Sequence, residues 1–480
     1  MPDQIPVLIV GAGPVGLTAA AFLTHYGVPV RIIDKKLEAT QTSNAVAIHA
    51  RTMELLEIIG LSESLLSVGH LVKASHVYSN RKKVASLDFS NIESRYPFVC
   101  CVPQCETERL LIEHLEHQGV EVERGITIEH RLSDAEQGIT LSSSHGDIQA
   151  QWVLACDGYH SVLRDDCHVP YVGEDLKFKF IMIDAPLEWD HPLDPMSIAL
   201  GATCTLALFP MQHSVRLLAE VSRSSDFKEA EPTQATFSAI VERYLPGKML
   251  IKEPLWASQF WIHERLAEQY RDHRVFFAGD AAHVHSPLGG QGMNTGIQDV
   301  INLCWKLAYV IKQQASEDVL NSYQEERRPV AQAVLSATTR LSKIAFSHSA
   351  IIRGLRNVVL SCVTRLPAVQ RKITAAMSQT VYRYCNSSIV AEGRLAHLQA
   401  GSRFPYWTPS EWQHGLIDYV GNAKEMFKDD DRLTVIPADS LELPKALVHL
   451  SNQYCLVRPD GYIGCVSHDI GRIRAYLDQL

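Results

Sequence analysis

The sequence predicts an α/β fold, α+β overall, in three parts. These are a nucleotide-binding βαβ domain, an antiparallel β layer inserted into it, and a small α+β domain at the C-terminus. Three observations predict this. A short apolar strand runs into Gly11-x-Gly13-x-x-Gly16 and a helix. A second buried strand, 275–278, runs into another Gly-rich loop and helix. Between the two, strand-like stretches alternate with turns carrying Pro, Asp and Ser.

Residues 5–34 read as strand, tight turn, helix, strand. Positions 7–10 are β-rich, 17–26 have helical spacing and small residues, and 28–33 are apolar and end at Asp34. Residues 50–68 and 106–118 have helical periodicity, and 120–155 alternate as a meander of short strands. From Phe178 to Ile262 strands such as 205–209 form the inserted layer, interrupted by one helix, Gln234–Tyr244. After 275–278 a helix is expected over 294–313, and long helices over 318–392. Residues 327–391 hold no Asp or Glu. This predicts a basic, solvated helical face packing against an acidic remainder, with a membrane-surface or partner-binding helix as the rival reading. From about Gly401, Pro, Trp and Gly turns precede short strands near 433–437, 453–458 and 462–466.

The chain has 480 residues, enough for two to four domains at ~100–200 residues each. Its 46% hydrophobic and 21% charged residues argue against disorder and against a disulfide scaffold. A net charge of −9 argues against nucleic acid as the main ligand. Eleven cysteines form no CxxC pair, and Cys100 and Cys101 are adjacent, as fits a reducing compartment. Met1-Pro2-Asp3-Gln4 has no basic n-region, so no secretory signal is expected. No run reaches the ~20 apolar residues of a membrane span, and the expected location is cytoplasmic.

Three motifs carry chemistry. In Gly11-Ala12-Gly13-Pro14-Val15-Gly16 the glycines let the backbone turn tightly and approach a pyrophosphate on the helix N-terminus. Asp34, followed by Lys35, can take the ribose of a dinucleotide. This motif does not separate FAD from NAD(P), and its bland reading is a tight turn with no ligand. The second is Gly279-Asp280-Ala281-Ala282-His283, followed by Pro287-Leu288-Gly289-Gly290-Gln291-Gly292-Met293-Asn294. Asp280 can bind a polyol such as a ribityl chain, and the helix-start amides can stabilise charge on an electron-rich ring edge. A plain turn has no need of four glycines here, and an NAD dehydrogenase has no use for the element. The third, Asp157-Gly158 with Arg164 seven residues on, is by itself more readily a surface turn capped by Asp.

Together, in this order and at these separations, the motifs resemble the class A flavoprotein monooxygenases, aromatic hydroxylases of the para-hydroxybenzoate hydroxylase type. The resemblance covers about 5–340 and extends through Asp299, Trp305-Lys306-Leu307-Ala308 and Tyr323 to Pro329. The tail (Gly401 to Pro405, Leu456 to Tyr462) is similar to the longer branch of that family, which includes phenol and polyketide hydroxylases and rifampicin monooxygenase. The resemblance implies a Rossmann-like FAD-binding domain of glutathione-reductase type over 1–75, 98–175 and 270–340. It implies a substrate-binding β-sheet domain over 76–97 and 176–269, a helical linker over 341–395, and a thioredoxin-like C-terminal domain over 396–480. Where that domain usually ends on an aromatic and a basic residue this chain has Cys465-Val466, so no role is carried over to it.

By the same resemblance, Gly11, Gly13, Pro14, Val15 and Gly16 hold the FAD pyrophosphate, and Asp34 with Lys35 the adenosine ribose. Arg51 and Gln104 contact the flavin. Asp157, with Arg164, serves FAD and pyridine nucleotide, and Asp280 the ribityl chain. Pro287, Gly289, Gly290, Gln291, Gly292, Met293 and Asn294 surround the isoalloxazine. The implied activity is hydroxylation of an aromatic or polyketide-like small molecule with NADPH or NADH and O2, through a flavin C4a-hydroperoxide. Monomer and homodimer both remain open. For a base that ionises a phenol, the β layer offers His213, Tyr244 and His263, each as readily an ordinary residue. His283-x-His285 lacks a third ligand for a metal, and Cys100, Cys101 and Cys105 read as small apolar residues. The rivals are a flavin dehydrogenase or reductase, a non-catalytic flavin-binding module, and a halogenase, for which a WxWxIP string is missing.

Overall fold

In a computed structural model the chain is described over residues 4–480, except 41–43, 136–137, 348, 406–412, 429, 442, 444–446 and 448–452. The strand Ile5–Val10 is central to the first sheet because it is apolar on both faces and buried from Val7 to Val10. It pairs in parallel with Val30–Asp34 on one side and Ile148–Ala155 on the other. Outward from these lie Val122–Arg124 and Val275–Phe277, again parallel. The helix Pro14–His25 covers this sheet and packs on the long helix Gly292–Ile311, an apolar cylinder buried along most of its length.

The second sheet has eight strands among the described residues, in the order 283–284, 256–267, 171–185, 215–220, 205–210, 196–200, 74–79, 82–88. It is antiparallel except where Met196–Leu200 meets Ala74–Ser79. Its edge strand, His283–Val284, pairs with Arg265 and Leu266 and leads directly into the Gly-rich loop. That loop is therefore fixed at one end to the second sheet and at the other to the helix beginning at Gly292. The expected helix Gln234–Tyr244 forms at those bounds, capped by the Thr233 hydroxyl, which accepts from the Thr236 amide.

The long-helix expectation is corrected in two respects. Helices occupy Ser322–Ala345, Ala350–Val363 and Pro367–Met377, but not 378–392. Gln379 adopts φ +61 just beyond the last helix, a left-handed geometry that ends the run. Nor is the acid-free stretch purely a basic face, although Arg340, Lys343, Arg365, Arg371 and Lys372 are exposed. Arg327 is buried against Asp299, while Ile351, Leu355 and Val358 stand 82%, 63% and 61% exposed on the middle helix.

The C-terminal part holds a four-stranded sheet in the order 433–437, 414–418, 454–457, 463–467, backed by the helix Ile470–Asp478. The first pair is parallel and the rest antiparallel. The strand His414–Asp418 was not expected. All five of its residues are buried, so no alternation marks it.

Candidate active site

The first glycine turn shows why each glycine is needed. Gly11 donates to the Ile33 carbonyl, holds φ +105, and a Cβ there would fall 2.3 Å from the Cys156 carbonyl oxygen. A Cβ on Gly16 would meet the Gly11 carbonyl at 1.9 Å, so the helix can approach the turn only as glycine. Gly13 has no protein atom within 4 Å of that position, and the helix it begins has no side-chain cap. Bare amides at an open helix N-terminus suit an anion. At the end of the second strand the Asp34 carboxylate accepts from the Ala12 amide at 2.7 Å and the Lys36 amide at 2.8 Å.

Gly11, Gly13 and Asp34 line a cleft of about 740 Å³ bordered by both sheets. It is also lined by Gln104, Asp157 and Asp280 and by Pro287, Gly290, Gln291, Gly292 and Met293. Gln104 accepts from the Ala45 amide and donates to Glu108. Asp157 accepts from the Val162 amide through Oδ2, while its Oδ1 is buried with no protein partner, and burial pushes its pKa up. Asp280 lies open to the cleft. The cleft thus brings together a turn of bare amides, a strand-end carboxylate, an unpaired buried oxygen and a glycine loop. This donor and acceptor set fits FAD.

The loop is braced from beneath. Asn294 accepts from the His49 amide and donates to the carbonyls of Ala47 and Gly290, each at 2.8 Å. The His49 ring lies 2.8 Å from the Gly289 carbonyl through Nε2. Asn294, Gly289 and Gly16 therefore shape the cleft without lining it. Arg164 is likewise a brace. It donates to the carbonyls of Ala281 and Tyr159 and stacks 3.9 Å from the centroid of the Tyr171 ring, tying the Asp157 turn to the Asp280 turn.

Arg51 departs from expectation altogether. It is buried away from the cleft, paired with Glu54 at 3.0 Å and donating to the Asp460 carbonyl from the C-terminal part. Glu54 also binds Arg403. The carboxylate at i+3 compensates the buried charge, while the Arg51 Nε is left without a protein partner.

The opposite wall comes from the second sheet: Met182, Phe209, Leu218, Phe260 and Ile262, with Arg216 held bidentate by Asp184 at 2.7 Å on both oxygens. Sequence reading missed Arg216. Its only signal was a charge next to the apolar run Leu217–Ala219 within the strand Val215–Glu220. Of the three base candidates, His213 and Tyr244 lie outside the cleft. His263 lines it but is engaged with Asp175 at 2.8 Å and stacked on Tyr159. His283 turns to Asp299 at 2.6 Å, and His285 lines the cleft beside it.

With this geometry in view, the model of a family described as "FAD binding domain" matches residues 4–338. The chain is 33% identical over 460 residues to pentachlorophenol 4-monooxygenase of Sphingobium chlorophenolicum, covering 92% of this chain and 81% of that protein. It is 33% identical over 473 residues to rifampicin monooxygenase of Streptomyces venezuelae, covering 96% of each. Among solved structures it resembles the OxyS anhydrotetracycline hydroxylase from Streptomyces rimosus, with a TM-score of 0.79, 28% identity and 99% of both chains covered.

Proposed function

The chain belongs to the FAD-binding domain family, within the class A flavoprotein monooxygenases, and from that premise we propose that it hydroxylates an aromatic or polyketide-like small molecule, using O2 and NADPH or NADH. The observation that carries this reading is one cleft lined by the Gly11 turn and Asp34, by the Pro287–Met293 loop and by an apolar wall of the second sheet. A nucleotide-binding turn and an apolar wall in one cavity suit a flavin laid along the cleft with its ring beside a hydrophobic substrate.

Bound FAD supplies the redox chemistry, taking electrons from NAD(P)H and activating O2 for transfer of one oxygen atom. The protein's part is positioning. The amides of Gly13, Val15 and Gly16, at the uncapped start of the helix, and the helix dipole would hold the pyrophosphate. Asp34, already oriented by two amides, accepts from the ribose, and Asp280 from the ribityl hydroxyls. The amides of Gly292 and Met293, at the start of a helix with no side-chain cap, would stabilise negative charge on the flavin ring. Met182, Leu218, Phe260 and Ile262 keep water from the reacting atoms, which protects reactive species from side reactions.

In the same reading the FAD unit comprises 1–75, 98–175 and 270–340, except that Ala74–Ser79 pairs within the second sheet and moves that boundary to about 74. The C-terminal unit is thioredoxin-like, an assignment supported by its strand order of second, first, third, fourth with only the first pair parallel. A reducing cytoplasmic setting fits eleven unpaired thiols.

The test is a screen of phenols and polycyclic aromatics for stimulation of NAD(P)H oxidation by FAD-loaded protein, with products weighed for one added oxygen. Colourless protein, or NAD(P)H oxidation that never consumes O2 into product, refutes the reading.

A further inference from the structure

The loop rim of the cleft offers hydrogen-bond acceptors with no protein donor to meet them. The Nδ1 atom of His285 lies 3.0 Å from the Ser286 carbonyl oxygen. A carbonyl can only accept, so Nδ1 carries the hydrogen and Nε2 keeps its lone pair. That Nε2 is buried and meets no protein partner. Gln291 repeats the pattern. Its Nε2 donates to the Met377 carbonyl at 2.8 Å and the Gly289 carbonyl at 3.3 Å. Two carbonyls on one side fix the amide, leaving Oε1 buried and unpartnered. Both side chains line the cleft shared with Met182, Leu218, Phe260 and Ile262. A buried acceptor without a donor is costly unless a ligand supplies one.

We propose that this rim recognises a phenolic hydroxyl, with His285 Nε2 accepting the substrate O–H and Gln291 Oε1 a second donor of the same ligand. The inference rests on the hydroxylase reading and names the substrate group that the site selects. As the ring gives electrons to the incoming oxygen, its hydroxyl becomes strongly acidic. The O–H bond then breaks, its electron pair stays on the oxygen and feeds the ring, and the proton forms an N–H bond at Nε2, from which it later passes to solvent. Burial holds the imidazole pKa down at about 4, so the lone pair is available at neutral pH. His283, stacked beside it with centroids 6.4 Å apart, holds Asp299 through Nε2, and its Nδ1 is likewise buried without a protein partner.

A ring N–H of the cofactor is the other donor of this chemistry, and the test separates the two. FAD-loaded wild type, H285Q and H285F are titrated with 4-nitrophenol, 1-naphthol and their methyl ethers, following the flavin spectrum, and FAD affinity is measured for each variant. Wild type is expected to bind the phenols about tenfold more tightly than the ethers, the value of one hydrogen bond to a buried acceptor. H285F is expected to reduce that preference to within about threefold, and H285Q to retain part of it, with FAD affinity unchanged in both. Equal binding of phenol and ether by wild type overturns the proposal, as does an undiminished preference in H285F or no response to any of the four compounds. Loss of FAD affinity in H285F with the preference intact gives the acceptor to the cofactor and overturns it as well. Oxygenated product from the ethers leaves the hydroxylase reading standing while removing hydroxyl recognition. Wild-type protein that binds no FAD fails that reading itself.

Discussion

Replacing Arg458 by Met probes how the C-terminal part is joined to the flavin unit. Arg458 is fully buried and donates to Glu326 at 2.6 and 2.8 Å and to Asp460 at 3.0 and 2.5 Å. Lys306 completes the cluster at 2.8 Å from Glu326, and Ser387 and Asn302 donate to the same carboxylate. Two cations balance two carboxylates, so the native cluster is neutral. Removing Arg458 leaves one buried negative charge uncompensated, which costs about 3–5 kcal/mol. Converting Glu326 to Gln in the same chain restores neutrality, and the double variant should recover at least ~1–2 kcal/mol of that loss, since replacing a whole buried pair is often near neutral. The assay is urea unfolding of the FAD-free protein by circular dichroism, because bound cofactor adds its own stabilisation. A single-variant loss below about 1 kcal/mol, the range of surface pairs, refutes the reasoning. So does a double variant at least as unstable as the sum of the singles.

Acid should weaken the protein for an identifiable reason. Burial lowers the pKa of His49 and His285 to about 4 and that of His414 to about 3, against 6.5 for a free imidazole. Below pH 6.5 the unfolded chain binds protons that the native state refuses, so stability rises with pH from about 4 to 6.5 and is lost on acidification, by up to ~1.4 kcal/mol per pH unit for each group. The slope of urea stability against pH in that window should fall in H285F, and an unchanged slope contradicts the assignment. The glycine turn separates folding from binding. Gly11→Ala must carry a Cβ at φ +105 against the Cys156 carbonyl, a strain of about 1–3 kcal/mol before any clash, and should lower both stability and FAD affinity. Gly13→Ala meets no protein atom and should weaken only FAD binding, as titration calorimetry beside urea unfolding would report.

Local chemistry was legible in the sequence, and distant chemistry was not. The Gly11 turn, Asp34 and the Gln234–Tyr244 helix are written in neighbouring residues, through glycine spacing, a strand-end carboxylate and a Thr233 cap. Arg51 was misjudged because its partner carbonyl, Asp460, lies 409 positions away. Arg164 and Asn294 sit in the right motifs but act on the backbone around the cleft, which only the folded loops reveal. The exposed Ile351–Leu355–Val358 face is not marked in the sequence, because apolar spacing alone does not distinguish a buried helix face from an exposed one. His285 was visible as half of a His-x-His pair. Its free lone pair depends on the Ser286 carbonyl folding back onto Nδ1.

The interleaving of the chain also has a consequence in time. The central parallel sheet draws its strands from as far apart as Ile5–Val10 and Val275–Phe277. A ribosome releases the Gly11 turn long before the Pro287–Asn294 segment that helps shape the same cleft exists, and Arg51 waits longer still for Asp460. The cofactor cleft is therefore among the last features to be completed during synthesis, and the early strands spend that interval with unpaired edges. Loss of residues 458–480 takes the Asp460 carbonyl from buried Arg51 and leaves it only the Glu54 pairing, so damage near one end of the chain is felt near the other.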